Sequence, residues 1–132
     1  MPKISIIGAG NWGKNLIKTF SELGSLESIV ELSPFIREQM VEDYPKVRVL
    51  DNYETLLSSE IDAVAIATPV STHFSIARKF LEAGKDVFVE KPMALTTAEG
   101  ESMKVVAEDS GRILMVGHLL EYHPAVTKLR EL

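Results

Sequence analysis

The chain has no cysteine in its 132 residues. That excludes disulfides and thiolate metal sites, and it fits a reducing compartment. Only 3 histidines occur, none in a paired ligand spacing, so no metal centre is expected. No apolar run approaches the ~20 residues that a membrane helix requires. The first strand-like segment begins almost at residue 1 and leaves no room for a leader peptide, so a cytoplasmic location is expected. Basic charge is also in deficit, with 14 Lys and Arg against 19 Asp and Glu for a net charge of −5. Such a surface offers no basic stripe to nucleic acid or to an anionic bilayer, which leaves a small molecule or another protein as the expected partner. Internal repeats and low-complexity tracts are absent, and the length suits one domain around one core.

What the sequence does contain is concentrated at its start. Lys3 to Gly13 reads K-I-S-I-I-G-A-G-N-W-G: a β-branched apolar run, then three glycines spaced G-x-G-x-x-G, then a predicted helix from Trp12 to Leu23. At a strand-to-helix turn, Gly8 permits the tight turn, Gly10 lets a pyrophosphate approach the backbone, and Gly13 lets helix and strand pack closely. The helix N-terminus then presents unpaired N–H groups to the phosphates. Leu26 to Val30 is a predicted second strand, and Glu31 follows it, eighteen residues after Gly13, where an adenosine ribose needs an acceptor. A carboxylate ~4 Å from a 2′-phosphate would repel it by about 4 kcal/mol per unit charge at an effective dielectric near 20, roughly a thousandfold. NAD is therefore expected rather than NADP. Arg37 lies about a turn into the next helix.

Further along, Ser33-Pro34 is a helix start, with serine as N-cap and proline at the first helical position, and the helix is expected to reach about Tyr44. Val47 to Leu50 reads as a third strand, and Asp51 or Asn52 caps a brief helix through Ser58. Ile61 to Ala67 is an almost unbroken apolar run suited to a central strand covered on both faces, ended by Thr68-Pro69. Ser71-Thr72 opens a helix whose Phe74, Ala77, Phe80 and Leu81 recur at helical spacing, and Gly84 stops it. Asp86 to Glu90 is strand five, cut off by Lys91-Pro92. Thr96 or Thr97 begins a helix to Ser110 with Ala98, Met103, Val106 and Ala107 as its core face. Arg112 to Val116 is strand six, ending at Gly117-His118.

Six strands alternating with helices predict a doubly wound parallel α/β sheet in the order 3-2-1-4-5-6. Ligands of such sheets bind at the carboxyl ends of the strands. The candidate polar residues all fall there: the glycine turn, Glu31, Thr68-Pro69 with His73 behind, Glu90-Lys91, and His118. Thr68-Pro69 must pass close to the nicotinamide half of a bound cofactor, His73 is a weaker candidate in a helix first turn, and His118 could line the nicotinamide side. Lys91 divides the enzymatic from the non-enzymatic readings. Fixed by the proline after it, its amine could take a hydroxyl proton as hydride leaves carbon; alternatively it is a surface lysine snorkelling beside Glu90. Val126, Leu129 and Leu132 are spaced for a helix that has barely begun. Residues 1–123 are therefore read as the dinucleotide-binding domain and 124–132 as the start of a helix, the chain as the front part of a longer protein.

Ile7 to Gly13, Ala67-Thr-Pro69 with Thr72-His73, and Val89-Glu-Lys-Pro-Met-Ala94 together resemble the N-terminal half of the Gfo/Idh/MocA family of sugar dehydrogenases. The resemblance covers nearly the whole chain. It implies a Rossmann domain in which Asn11 and Trp12 belong to the cofactor-binding turn, Lys91 is the catalytic or substrate-facing lysine, Glu90 lies near the nicotinamide ribose, and the Lys91-Pro92 bond is cis. It also implies a sugar or nucleotide-sugar substrate and an absent C-terminal substrate domain into which the helix at 124–132 leads, and it leaves room for a homo-oligomer in the full-length protein. Gly13-Lys-Asn15 and Val116 to Pro124 look most like family members that oxidise C3 of UDP-N-acetylglucosaminuronic acid. Leu119-Leu-Glu121 departs from the N-R-R-like stretch of many members, so no arginine role carries over. The competing readings are a non-catalytic NAD-sensing module and a family member acting on inositol, glucose or biliverdin.

Overall fold

The computed structural model describes all 132 residues, Met1 to Leu132. Strands β1 (Ile4–Ile7), β2 (Leu26–Val30), β3 (Arg48–Leu50), β4 (Ala63–Ile66), β5 (Asp86–Val89) and β6 (Leu114–Val116) alternate with helices α1 (Asn11–Glu22), α2 (Pro34–Asp43), α3 (His73–Glu82), α4 (Thr97–Ser110) and α5 (Pro124–Arg130). Short 3₁₀ turns occupy Tyr53–Leu56, Val70–Thr72 and Leu119–Tyr122. All strand pairs are parallel, and the sheet order is β3-β2-β1-β4-β5-β6, the doubly wound order expected from the sequence.

Helix limits follow local chemistry. Ser33 caps α2 by accepting the Ile36 N–H, with Pro34 at the first helical position. Thr96 caps α4 by accepting the Glu99 N–H, and Gly111 ends it in the left-handed region at φ 61°, where a side chain would be strained. Strand starts are shorter than the apolar runs suggest. Ile61 is buried but lies outside β4, because the Asp62 side chain takes the Lys3 N–H at 2.7 Å. Likewise Asp86 Oδ1 accepts the Ile113 N–H at 2.9 Å, and β6 begins at Leu114.

Alternation along the strands builds a core on each face of the sheet. Ile7, Val30, Val64, Ile66, Val87 and Val89 pack with Ile76, Ala77, Phe80 and Leu81 of α3 and with Met103 and Ala107 of α4. On the other face Ile6, Ile29 and Ala65 meet Ile17 of α1 and Met40 of α2. Ala98 is exposed rather than part of the α4 core face.

The register carries the fold's functional consequence. Leu50, Val30, Ile7, Ile66, Val89 and Val116 are mutual partners in one row across the sheet. The residues that follow five of them continue the ladder by one rung: Glu31 N–H donates to Leu50, Gly8 to Val30, Ala67 to Ile7, Glu90 to Ile66 and Gly117 to Val89, all at 2.8–3.0 Å. Residues far apart in sequence thus stand side by side along the carboxyl edge.

Candidate functional site

The glycine turn leaves β1 with Gly8 at φ +98°, a conformation that favours glycine. A Cβ there would also lie 2.6 Å from the Ala67 carbonyl oxygen, and one on Gly13 would run into the Gly8 carbonyl. These two glycines let strand, turn and helix close on one another. Gly10 is different, because a Cβ on it would meet nothing within 4 Å: its missing side chain leaves open space over the turn. Gly10 is also the N-cap of α1 and supplies no side-chain cap, and the first turn of α1 has no acidic residue. Its leading N–H groups and the positive end of its dipole therefore remain available to an anion.

Two adjoining hollows flank this turn. One, of about 460 Å³, is lined by Gly8, Gly10, Glu31, Leu32, Ile36 and Tyr53 among others, with Ala67, Thr68 and Pro69 on its far side. The second, of about 580 Å³, is lined by Trp12, Glu90, Lys91, Gly117, His118 and the 119–121 turn, again with Ala67 and Thr68. Ala67 and Thr68 line both, so the two hollows adjoin over the middle of the sheet, where ligands of wound α/β folds bind, and are together called the crevice.

In the first hollow, Glu31 is held by the backbone. Its Oε2 accepts the Ala9 N–H at 2.8 Å and its Oε1 accepts the Ser33 N–H at 2.9 Å. Lone pairs remain on both oxygens for further donors. Arg37 reaches back from α2 and donates from Nη1 to the Glu31 and Leu32 carbonyls, at 2.9 and 2.7 Å. Its cation therefore stands against the Glu31 and Leu32 backbone, closer to Glu31 than its place one turn into a helix suggests.

In the second hollow, Glu90 is buried. Its Oε1 accepts the Trp12 indole N–H at 2.5 Å, and its Oε2 accepts the Lys91 backbone N–H at 3.3 Å. Gly117 makes room for it, since a Cβ there would sit 2.9 Å from both carboxylate oxygens. The Lys91 side chain is exposed on the wall of the hollow, its ammonium in no hydrogen bond or ion pair, and the Lys91-Pro92 bond is cis. Lys91 does not pair with Glu90. Glu121, on the outer wall, bonds Arg130 of α5 at 2.6 Å; that hydrogen bond, with the guanidinium charge, holds its carboxyl below the usual carboxylate range.

Of the residues singled out in the sequence, Gly8, Gly10, Trp12, Glu31, Thr68, Pro69, Glu90, Lys91 and His118 line the crevice. Asn11, Gly13 and His73 do not. Asn11 is exposed and Gly13 is packed against Gly8. His73 is buried, with Nδ1 2.9 Å from the Pro92 carbonyl and Nε2 2.8 Å from the Thr68 carbonyl, so its ring faces backbone rather than ligand. Sequence reading did not single out Tyr53, Gly117 or the 119–121 turn as lining residues. Their place depends on the winding of the sheet, and Gly117 had a visible signal only as the end of a strand.

The residues fit a dinucleotide on structural grounds. An uncapped helix N-terminus beneath open space at Gly10 suits a diphosphate, and the anchored Glu31 carboxylate suits a ribose diol in the hollow beside it. No group of three acidic, histidine or cysteine side chains is placed to hold a metal ion, and no helix is long and apolar enough to cross a membrane.

Comparison with known proteins gives the same fold and a family. Residues 3–118 match the oxidoreductase family described as having an NAD-binding Rossmann fold. The chain is 29% identical over 129 residues to UDP-N-acetylglucosamine 3-dehydrogenase of Acidithiobacillus ferrooxidans, covering 98% of this chain and 41% of that one; a crystal form of that enzyme superposes with a TM-score of 0.88. Inositol 2-dehydrogenase of Rhizobium meliloti is 31% identical over 98% of this chain and 39% of its own. Biliverdin reductase of Synechocystis, solved with biliverdin and NADP+, is 29% identical with a TM-score of 0.87, over 98% of this chain and 42% of its own. The chain thus spans about two-fifths of the length of these relatives.

Proposed function

This chain belongs to the Gfo/Idh/MocA family of oxidoreductases, and from that premise we propose that it is the cofactor-binding part of an NAD-dependent dehydrogenase acting on a sugar or nucleotide-sugar alcohol. The observation that carries the reading is the rung formed by Glu31, Gly8, Ala67, Glu90 and Gly117 along one edge of the sheet, with the two adjoining hollows above it. Glu31 would hold the adenosine ribose, the Gly10 turn and the N-terminus of α1 the diphosphate, and Trp12, Thr68, Glu90, Lys91 and His118 the nicotinamide half. Bound NAD supplies the hydride acceptor. Lys91, whose ammonium nitrogen has no partner of its own, would in its amine form take the proton of the substrate hydroxyl as the carbinol C–H pair departs. The alcohol becomes a ketone, and the same nitrogen returns the proton in the reverse direction. Glu90 is tied to Trp12 and to the Lys91 backbone, so its part is to hold the turn that carries Lys91.

For the substrate, the C3 hydroxyl of a UDP-linked 2-acetamido sugar is the favoured choice. The sequence pattern at Val116–Pro124 supports it, as does the likeness to an enzyme named for C3 oxidation of such a sugar. The remaining substrate contacts would come from residues beyond this domain.

NAD is preferred over NADP, because the Glu31 carboxylate opposes a 2′-phosphate. Arg37 offsets part of that repulsion, so the preference should fall short of the roughly thousandfold that an isolated carboxylate would give. Calorimetry tests this directly. The chain should bind NAD more tightly than NADP, Glu31→Ala should narrow the difference by about tenfold or more, and Arg37→Ala should widen it. Binding neither dinucleotide would remove the cofactor reading. In the enzyme that contains this domain, Lys91→Ala should lower kcat by about 10²–10⁴-fold while leaving NAD affinity within about twofold. Unchanged turnover would assign Lys91 to the surface.

A further inference from the structure

We propose that His73 is a positioning residue, a strap between the two loops of the site that holds the Lys91 turn in register with Thr68. The inference rests on the dehydrogenase reading for what the strap is for, and on geometry alone for its existence. His73 is the first residue of α3 and is 1% exposed. Each ring nitrogen faces a backbone carbonyl: Nε2 that of Thr68 at 2.8 Å, in the loop after β4, and Nδ1 that of Pro92 at 2.9 Å, in the loop after β5. Neither carbonyl accepts a backbone N–H. A neutral imidazole carries a single N–H, so it can donate to only one of the two carbonyls; the strap places that proton on Nδ1, toward Pro92.

The two loops are not equally secured without it. The loop after β4 is closed from within: Thr72 donates to the Pro69 carbonyl from its N–H at 2.9 Å and from its hydroxyl at 2.6 Å, and its hydroxyl also meets that of Thr68 at 2.7 Å. The stretch Lys91–Ala94 has no such support. Its hydrogen bonds are the Lys91 N–H to the adjacent Glu90 side chain and the Pro92 carbonyl to His73, and only the second reaches another element. Lys91 itself is exposed with an unpaired ammonium, so its place in the crevice is set by the backbone beneath it. That backbone is held by the end of β5, by Glu90 with its tie to Trp12, by the packing of Met93 and Ala94 against the core, and by the one hydrogen bond from the His73 ring. A misplacement of about 1 Å in a group that transfers a proton can cost about a hundredfold in rate. The strap is what the dehydrogenase would need there.

A carbonyl accepts only from a protonated nitrogen, and the two nitrogens can be replaced separately. The side-chain amide of Asn stands where Nδ1 does, toward Pro92; that of Gln stands where Nε2 does, toward Thr68. Backbone ¹⁵N relaxation of the 132-residue chain, with NAD calorimetry on the same samples, tests the assignment. In the parent chain Met93 and Ala94 should have order parameters near those of a rigid backbone, about 0.85. His73→Ala should lower them below about 0.6 while β4 and β5 keep their parent values. His73→Asn should restore Met93 and Ala94, and His73→Gln should not, with NAD affinity in both within about twofold of the parent. If His73→Ala fails to fold, the Asn and Gln pair decides alone. Equal order in both variants, a loop already mobile in the parent chain, or loosening that spreads through β4 and β5 would overturn the strap. A tenfold loss of NAD affinity in both variants would return His73 to direct cofactor contact. A parent chain that binds no NAD while Asn and Gln differ as stated would refute the dehydrogenase reading and leave the strap in place.

Discussion

Single residues of one type do different work in this turn. Gly8 and Gly13 are required by packing, because a Cβ on either meets a backbone carbonyl; Gly10 is required by nothing within the protein. Gly13→Ala is therefore expected to destabilise the fold by about 1–3 kcal/mol, the usual cost of an overpacked contact. Gly10→Ala should melt within about 1 kcal/mol of the parent and yet bind NAD at least tenfold more weakly, a loss of about 1.4 kcal/mol. Chemical denaturation and calorimetry on the two variants separate these effects; a Gly10→Ala chain with full NAD affinity would move the diphosphate elsewhere. The spacing of these glycines was legible in the sequence because it is local. The tie between Trp12 and Glu90 spans 78 residues, and that between His73 and Pro92 joins two loops, so neither leaves a pattern in a linear reading. His73 was placed near the cofactor for that reason: its position at a helix start was visible, and the carbonyls that occupy its ring were not.

At the scale of elements, starts and stops that depend on one residue were read closely. Ser33-Pro34, Thr96 and Gly111 sit where the chain needs them because capping is decided within a turn. Strand starts were overextended at Ile61 and at Arg112 and Ile113, since hydrophobicity reports burial and not ladder pairing. Asp62 and Asp86 take neighbouring backbone N–H groups with their side chains there. The 119–121 turn and α5 are joined across the rim by Glu121 and Arg130. The Glu121 carboxyl is lowered first by the hydrogen bond from Arg130 and then by its charge. With the folded value below the unfolded one, the pair favours the folded turn above the ordinary carboxylate range, and that contribution is lost as pH falls through the lowered value. Carboxyl ¹³C titration should show Glu121 ionising at lower pH than a free glutamate and moving upward in Arg130→Ala. Identical titrations in the two chains would mean that the pair does not persist in solution.

For the molecule as a whole, the order of the sheet was legible because six apolar segments alternate with helical ones at short intervals, and right-handed crossovers leave few ways to wind them. The crevice was less so, because it depends on register, which only the assembled sheet reveals. If the crevice takes NAD, ligand at a hundred times its dissociation constant should stabilise the chain by about 2.7 kcal/mol and raise Tm by on the order of 10 °C. A melt insensitive to millimolar NAD would be incompatible with the proposed site. Ala67 and Thr68 are walls of both hollows. A bulkier side chain at either would disturb the adenosine and nicotinamide ends together, so a redesign meant to alter one end of the coenzyme's seat has to begin at the outer walls, with Leu32 and Tyr53 on one flank or His118 and Leu119 on the other.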